Sequence, residues 1–430
     1  MYGHAQCDYL PYDKFTWMTE DEIVSTDFLS VDTNSNEGCI LEVDLVYPKE
    51  LHHKHSDFPL APETLTVNFE SLSPYEKKLF QQYENNTNYK SEKLTSTFFP
   101  RKNYVTSLKN LQLYCSLGMQ IKKVHRVLKF RQKKFLKPYI DKCTHARKTA
   151  NSQFKKSMFK LLSNSVFGKT IENPRMYTKV VLVQNEKRAL KIVSSPYYKS
   201  HKIINDQLIS VTLETHELVF DKPFSVGLMI LENSKHFMYN FWYNSLLKLF
   251  GYANVDLCFS DTDSFCFLLK CKNGYFSALQ KLTPYLDFSN YDPSHPFFSK
   301  KKEKALGFFK DELKGTQIAK KFCGLRAKCY AIEYANNDSK LVCKGVGKTA
   351  IKNRIHFSQY YNALFENKIY RHEYSAIESK NHSLHTVLRK KKSLSNFDSK
   401  RFILPCGIHS VPFGSSLISL YKNTCYKCEN

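Results

Sequence analysis

The amino-acid sequence predicts an α+β fold on three observations. Residues 38–47 (GCILEVDLVY) and 104–116 (YVTSLKNLQLYCS) alternate apolar and polar side chains as half-buried strands do. Residues 255–269 (VDLCFSDTDSFCFLL) repeat that alternation on both sides of a short acidic insert, as two buried strands joined by a turn would. Residues 122–142, 147–169, 225–250 and 275–286 instead space their apolar residues as amphipathic helices do.

Taken in order, the strand at 38–47 is followed by an Asn/Ser/Lys-rich stretch around 84–96 that reads as a loop. Residues 122–142 and 147–169 read as two successive helices, parted near Pro138 and Thr144 by weak helix formers. The helix at 225–250 stops at Gly251, the residue type that closes helices in a left-handed conformation. No internal repeat is visible.

Charge narrows the function classes. The chain has 430 residues with 64 Lys or Arg against 40 Asp or Glu, a net charge of +24 that points to a polyanionic partner. With 42% hydrophobic residues it has material for a packed core, its length suits two or three units of about 150 residues, and bulk disorder is excluded. No apolar run approaches the roughly 18 residues of a membrane helix, and the N-terminus lacks the layout of a signal peptide. The expectation is a soluble, intracellular protein with no membrane partner, nucleus and cytoplasm being undistinguished. Thirteen scattered cysteines read as reduced thiols. Cys425 and Cys428 form a lone CxxC with no second pair at a workable spacing, and they read as a plain tail rather than a zinc site.

The charge is unevenly divided. Residues 1–70 carry 14 acidic and 3 basic side chains, whereas residues 122–160 carry 14 basic side chains against the single acid Asp141. Interleaved Val124, Val127, Leu128, Phe130, Phe135 and Leu136 give this tract the look of a basic helix packed on a core, suited to nucleic acid or nucleotide phosphate. The tract Arg389–Lys392 stands alone and reads as a solvated face.

Two segments carry chemistry. Asp261 and Asp263 sit on the turn of the 255–269 hairpin, where two carboxylates repel unless a cation lies between them. Two divalent ions about 4 Å apart there could activate a hydroxyl and neutralise a leaving phosphate. The alternative is an ordinary Asp-rich turn. In KSMFKLLSNSVFGKT (156–170), Lys160, Asn164 and Phe167 fall on one helical stripe, and Gly168 removes a side chain beside it. A cation, an amide and a ring suit a nucleoside triphosphate; a helix C-terminus capped by Gly168, with Phe167 in the core, is the plainer alternative.

In this order the two segments resemble motifs B and C of family-B DNA polymerases. The first, K-x3-N-S-x-[YF]-G, is matched by Lys160, Asn164, Ser165, Phe167 and Gly168, and the second, [YF]-x-D-T-D-S, by Phe259, Asp261, Thr262, Asp263 and Ser264. A K-x-Y pattern follows as Lys328 and Tyr330, 65 residues after Asp263. The segments CILEVDLVYP, DFPLAPE, KKVHRVLKF, KDELKG, KCYAIE and FDSKRFIL resemble the virus-like, Polinton-type branch related to protein-primed polymerases, from Tyr2 to about Ser416.

The resemblance implies a right-hand architecture, a palm sheet with helical fingers and a thumb, without an exonuclease domain. Its divisions would be 1–115 palm part with insertion, 116–170 fingers helices, 171–340 palm with motif C hairpin and insertion, and 341–430 thumb and C-terminal tail. It implies template-directed transfer of deoxynucleotides to a primer 3′ end by two-metal catalysis. Asp263 would ligate both Mg²⁺ ions and Asp261 would assist. Lys160 would contact the triphosphate, with Asn164, Phe167 and Gly168 bordering the nascent pair. Lys328 and Tyr330 would hold the primer strand, and Arg147 and Lys148, with His125 and Arg126, would add fingers contacts assigned from charge and location. Partners would be DNA template and primer, dNTPs and a terminal protein primer.

One departure stands out. Met1-Tyr2-Gly3-His4-Ala5 matches the tail of motif A, whose leading aspartate would fall before Met1; Asp44 and Asp8 are poor substitutes by position. The expectation is therefore an incomplete polymerase body with little activity unaided, or an inactive, polymerase-derived nucleic-acid-binding remnant.

Overall fold

The computed structural model describes residues 1–420 and 428, apart from 85–86, 216, 273 and 381–382. At its centre four antiparallel strands pair in the order Leu10–Trp17, Gln120–Lys133, Glu37–Val46, Arg101–Ser107. Strand Glu37–Val46 sends Leu41, Val43 and Leu45 into the core and leaves Glu42 and Asp44 half-buried on the other face, as its alternation predicts.

The basic tract departs from the expected helix. Lys122–Lys133 is part of a strand, with Leu41 opposite Val127, Val43 opposite Val124 and Asp44 opposite Lys123. Its apolar residues at 124, 127 and 130 have helical spacing; the strand admits Val124 and Val127 to one core by a register shift between them, and the acidic strand beside it outweighs the local spacing. Arg126 Nε lies 2.6 Å from Glu42, His125 Nε2 2.9 Å from Asp44, and Lys129 Nζ 2.7 Å from Glu22. Cross-strand charge and packing thus override local pattern.

Residues 104–116 also differ, since the strand ends at Ser107 and Leu108–Ser116 is helical. Ser107 is the reason: its hydroxyl accepts the Asn110 N–H, capping the new helix. The 84–96 stretch contains a strand, Lys90–Thr95, paired with Glu63–Asn68.

The expected helix pair forms at Lys137–Thr149 and Gln153–Thr170. Pro138 does not part them. It sits in the first turn, where its missing N–H leaves no bond unmade, and the break falls at 150–152, where Ser152 caps the second helix. Helix Phe224–Asn240 continues through one π turn to Phe250 and ends at Gly251 with φ +82°, as expected. The predicted 275–286 helix is shorter, Gly274–Leu282.

The main core joins these elements. Leu41, Val43 and Tyr114 from the sheet side pack with Tyr239, Trp242, Tyr243 and Leu246 of the long helix. A second core lies between a three-stranded sheet (Ala319–Arg326, Cys329–Tyr334, Ser339–Cys343) and helix Phe357–Phe365. A small three-stranded sheet spanning 179–213 has its own cluster around Val183, Ala189 and Val211.

One buried carboxylate ties helix to sheet. Glu232, 1% exposed, accepts hydrogen bonds from Thr106 Oγ1 (2.9 Å), the Ser107 N–H (2.9 Å) and Asn110 Nδ2 (2.8 Å), and pairs with Lys235. Burial raises its pKa, but Lys235 and these donors outweigh that and hold the carboxyl below its ordinary value of 4.5. Glu232→Ala, which strands Lys235 without its partner, is expected to destabilise the fold by about 3–5 kcal/mol in urea unfolding. Because the folded-state pKa is depressed, the carboxylate's contribution is full above the ordinary value and disappears as pH falls through the folded one. The gap between wild type and Glu232→Gln should therefore close in acid.

Candidate active site

The acidic hairpin is built as the alternation predicts, with Val255–Asp261 and Ser264–Leu269 in antiparallel register and Asp261 opposite Ser264. Its strands are half-buried rather than buried, because only one face meets the core. Phe265 packs 5.4 Å from both Phe58 and Trp242, while Leu268 on the other face is 55% exposed. Asp57 Oδ2 accepts the Leu257 N–H at 3.0 Å, pinning the hairpin's base.

At the tip, Thr262 has φ +56°, a conformation that β-branched residues rarely adopt. The Asp263 N–H donates to Asp261 O at 2.6 Å, giving the tight form of a γ-turn. Thr262 Oγ1 donates to Asp261 Oδ1 at 3.2 Å, and Ser264 Oγ donates to Asp261 O at 3.2 Å. The Asp263 side chain is exposed and, among the described residues, its carboxylate makes no hydrogen bond or ion pair.

A contact across 65 residues of sequence completes the tip. Lys328, on the turn between Ala319–Arg326 and Cys329–Tyr334 and itself at φ +58°, puts its ammonium 3.1 Å from Asp261 Oδ1. Tyr330 stacks on Phe259 with ring centroids 4.2 Å apart. Burial, helped by Cys266 and the Asp261 carboxylate, holds the Tyr330 phenol above its ordinary pKa.

Helix Gln153–Thr170 runs unbroken through Gly168, so that glycine is no cap. Lys160 and Asn164 are exposed, and a Cβ at Gly168 would meet nothing within 4 Å, leaving bare backbone open to the surroundings. Phe167 is turned inward, 9% exposed, with Tyr2 stacked on it at 4.4 Å. Gln6 Nε2 donates to Ser163 O at 3.1 Å, so the first short helix holds this one from behind. An open groove of about 410 Å³ follows the same helix, lined by Ser165, Lys169, Thr170 and Lys222 among others.

The hairpin and the helix meet electrostatically. The Met1 α-amino group is pushed down in pKa by burial first, then pulled up by the Asp263 carboxylate and down by the Lys160 ammonium. One group feels both charges, so the acidic turn and the helix that carries Lys160 both lie near the first residue.

The remaining candidates lie elsewhere. Arg147 and Lys148 close helix Lys137–Thr149, where cations suit the helix dipole. Arg147 Nε is buried and has no hydrogen-bond partner among the described residues; Lys148, after Lys304, helps hold Glu303 below its ordinary pKa. His125 and Arg126 are not on a fingers helix but on the central sheet, where they meet Asp44 and Glu42. Asp8 is paired with Lys109 at 2.6 Å, and Asp44 also accepts the Asn103 N–H. Sequence reasoning missed the Lys328–Asp261 pair and the Tyr2–Phe167 stack, for which local pattern carries no signal. Hard carboxylate oxygens at an open turn suit a small divalent cation such as Mg²⁺.

Comparison with known proteins bears on this arrangement. A family model described as DNA polymerase type B, organellar and viral, matches residues 44–246. The chain is similar in structure to Phi29 DNA polymerase complexed with primer-template DNA and incoming nucleotide substrates, with TM-score 0.52 and 14% identity over 92% of this chain and 56% of that one. It is similar also to Phi29 DNA polymerase in a post-translocation binary complex with primer-template DNA, with TM-score 0.51 and 15% identity over 91% and 56%. The chain thus spans 56% of the length of these polymerases, and at such identities the likeness is one of fold. No curated protein sequence gives a significant match.

The Lys328 ammonium occupies one of the oxygens a cation would use. Lys328→Ala is expected to tighten Mn²⁺ binding roughly fivefold, the Coulomb scale in water for one charge a few ångströms away. Titration calorimetry checks this; unchanged affinity, or affinity that survives Asp263→Asn, would contradict the assignment.

Proposed function

We propose that the chain is the body of a DNA-directed DNA polymerase, since residues 44–246 match the family model of organellar and viral type B DNA polymerases. The observation that supports this reading is the acidic turn itself, with Lys328 paired to Asp261 at 3.1 Å and the Met1 amino group feeling both Asp263 and Lys160.

In this reading the central sheet and the acidic hairpin form the palm. The palm extends beyond the expected 1–115 to Lys133, because strand Gln120–Lys133 pairs with it, and the fingers are the helices from Lys137 to Thr170. The later palm continues through 171–340, with the thumb and tail at 341–430.

Asp263 and Asp261 would hold two Mg²⁺ ions. When bound, such ions neutralise developing phosphate charge and lower the pKa of an attacking hydroxyl. Everything else falls to the chain's own residues. Lys160 binds the triphosphate of the incoming nucleotide, Asn164 borders the nascent pair, and Gly168 lets that pair approach the backbone. Phe167, packed on Tyr2, orients the helix beneath them. Lys328, placed beside Asp261, and Tyr330, stacked on Phe259, would hold the primer strand. The primer 3′-hydroxyl then attacks the α-phosphate and pyrophosphate leaves, a reaction governed by positioning and charge. Arg147 and Lys148 contact DNA. Partners in this reading are template and primer, dNTPs and a protein primer. No described helix is long and apolar enough to cross a membrane.

One observation favours a second reading, a nucleic-acid-binding protein without catalysis. Among the described residues, no third His, Cys, Asp or Glu side chain closes a ligand cluster with Asp261 and Asp263. Primer extension with Mg²⁺ separates the two. Polymerase function predicts incorporation that falls on the order of 10³-fold in Asp263→Ala, several kcal/mol of lost charge stabilisation. The binding reading predicts no incorporation, with DNA affinity falling linearly in log–log against salt.

A further inference from the structure

Cys428, near the end of the chain, meets a turn formed earlier in the sequence. Cys406-Gly407-Ile408-His409 forms the turn between the short strands Phe402–Ile403 and Ser410–Val411. The Leu404 N–H donates to His409 O at 2.8 Å, the Gly407 N–H to Leu404 O at 2.9 Å, and Gly407 takes φ +73°. Inside this turn the Ile408 and His409 N–H groups both point at Cys406 Sγ, at 3.5 and 3.4 Å. Two backbone donors fix the position of that sulfur inside the turn.

His409 Nδ1 lies 3.6 Å from Cys406 Sγ and 3.5 Å from Cys428 Sγ, and the three ligand atoms all lie within 4.8 Å of one another. A tetrahedral zinc with Zn–S of about 2.3 Å and Zn–N of about 2.05 Å sets sulfur and nitrogen about 3.55 Å apart. The observed spacings match that edge. Cys425, the expected partner of Cys428, lies outside the described residues, but the sequence reads C-x2-H, fifteen intervening residues, then C-x2-C. The second pair that the CxxC lacked is a Cys/His pair, which a search for cysteines alone passes over.

We propose that Cys406, His409 and Cys428 bind a structural zinc ion. Two thiolates and an imidazole are a soft set suited to zinc rather than to Mg²⁺. The site fastens Cys428 to the body, because the turn is already anchored there. Asn396 Nδ2 donates to Gly407 O at 2.6 Å and to Tyr75 Oη at 3.0 Å, and a Cβ at Gly407 would come 2.7 Å from the Tyr75 ring. Further along, the Ser416 N–H donates to His52 Nδ1 at 2.9 Å, and the Phe98 N–H to Phe413 O at 2.8 Å.

The full chain, purified under reducing conditions, is expected to carry one zinc by elemental analysis. The Co²⁺-substituted chain should show intense thiolate-to-metal charge transfer and tetrahedral d–d bands. Cys406→Ser and Cys428→Ser should each lose the metal, while Cys271→Ser keeps it. Because those losses could also come from misfolding, His409→Cys supplies the independent readout: it should retain cobalt with its bands shifted by the added thiolate. Absence of zinc from the wild-type chain overturns the proposal, as does zinc retained in Cys406→Ser and Cys428→Ser. So does a cobalt spectrum unmoved by His409→Cys, or a mass two daltons low from a Cys406–Cys428 disulfide.

Discussion

Two carboxylates fastened to one tight turn are the constraint on which the rest of the cleft depends. Asp261 and Asp263 cannot relax apart, because the hydrogen bond from the Asp263 N–H to Asp261 O fixes their backbone and the phenylalanines behind them fix the hairpin. Like charges so confined call for a cation. Lys328 answers from a separate sheet, and the Lys160 charge reaches the same Met1 amino group that Asp263 does. Removing the apolar anchor at Phe265 and Trp242 would leave the charges without a fixed position, so hydrophobic packing here serves electrostatics.

The net charge of +24 overstates the surface that phosphates would meet. Part of the basic tract is matched internally: Arg126, His125 and Lys129 meet Glu42, Asp44 and Glu22, so the acidic first 70 residues and the basic strand neutralise one another across the central sheet. The exposed cations that remain include Lys155 and Lys160 on helix Gln153–Thr170 and Lys122, Lys123, Arg131 and Lys133 on the strand.

What could be read in advance follows from how local the deciding interaction is. The acidic hairpin and the Gly251 helix stop were legible because alternation, turn residues and a left-handed glycine act within a few positions. The strand Gln120–Lys133 was not, since Val124, Val127 and Phe130 are spaced as in a helix and the choice was made by a partner strand some 80 residues earlier in the chain, with a register shift absorbing the mismatch. Ser107 hid a helix inside an apparent strand because a cap is a single residue. In the site, Asp261, Asp263, Lys160 and Asn164 were identifiable as residue types. Their assembly with Lys328 and Tyr330, and the inward turn of Phe167, depend on contacts between distant elements that no window of sequence contains.

The left-handed backbone at Thr262 has a last consequence. Strain of this kind, about 1–3 kcal/mol, is met once, during folding. Afterwards the two acidic groups are preorganised: an arriving ion would find its oxygens already spaced and would spend little free energy on reorganisation. A looser turn would gain stability in the empty protein and surrender it at the moment of capture, so the tautness of three residues sets how readily the cleft can be armed.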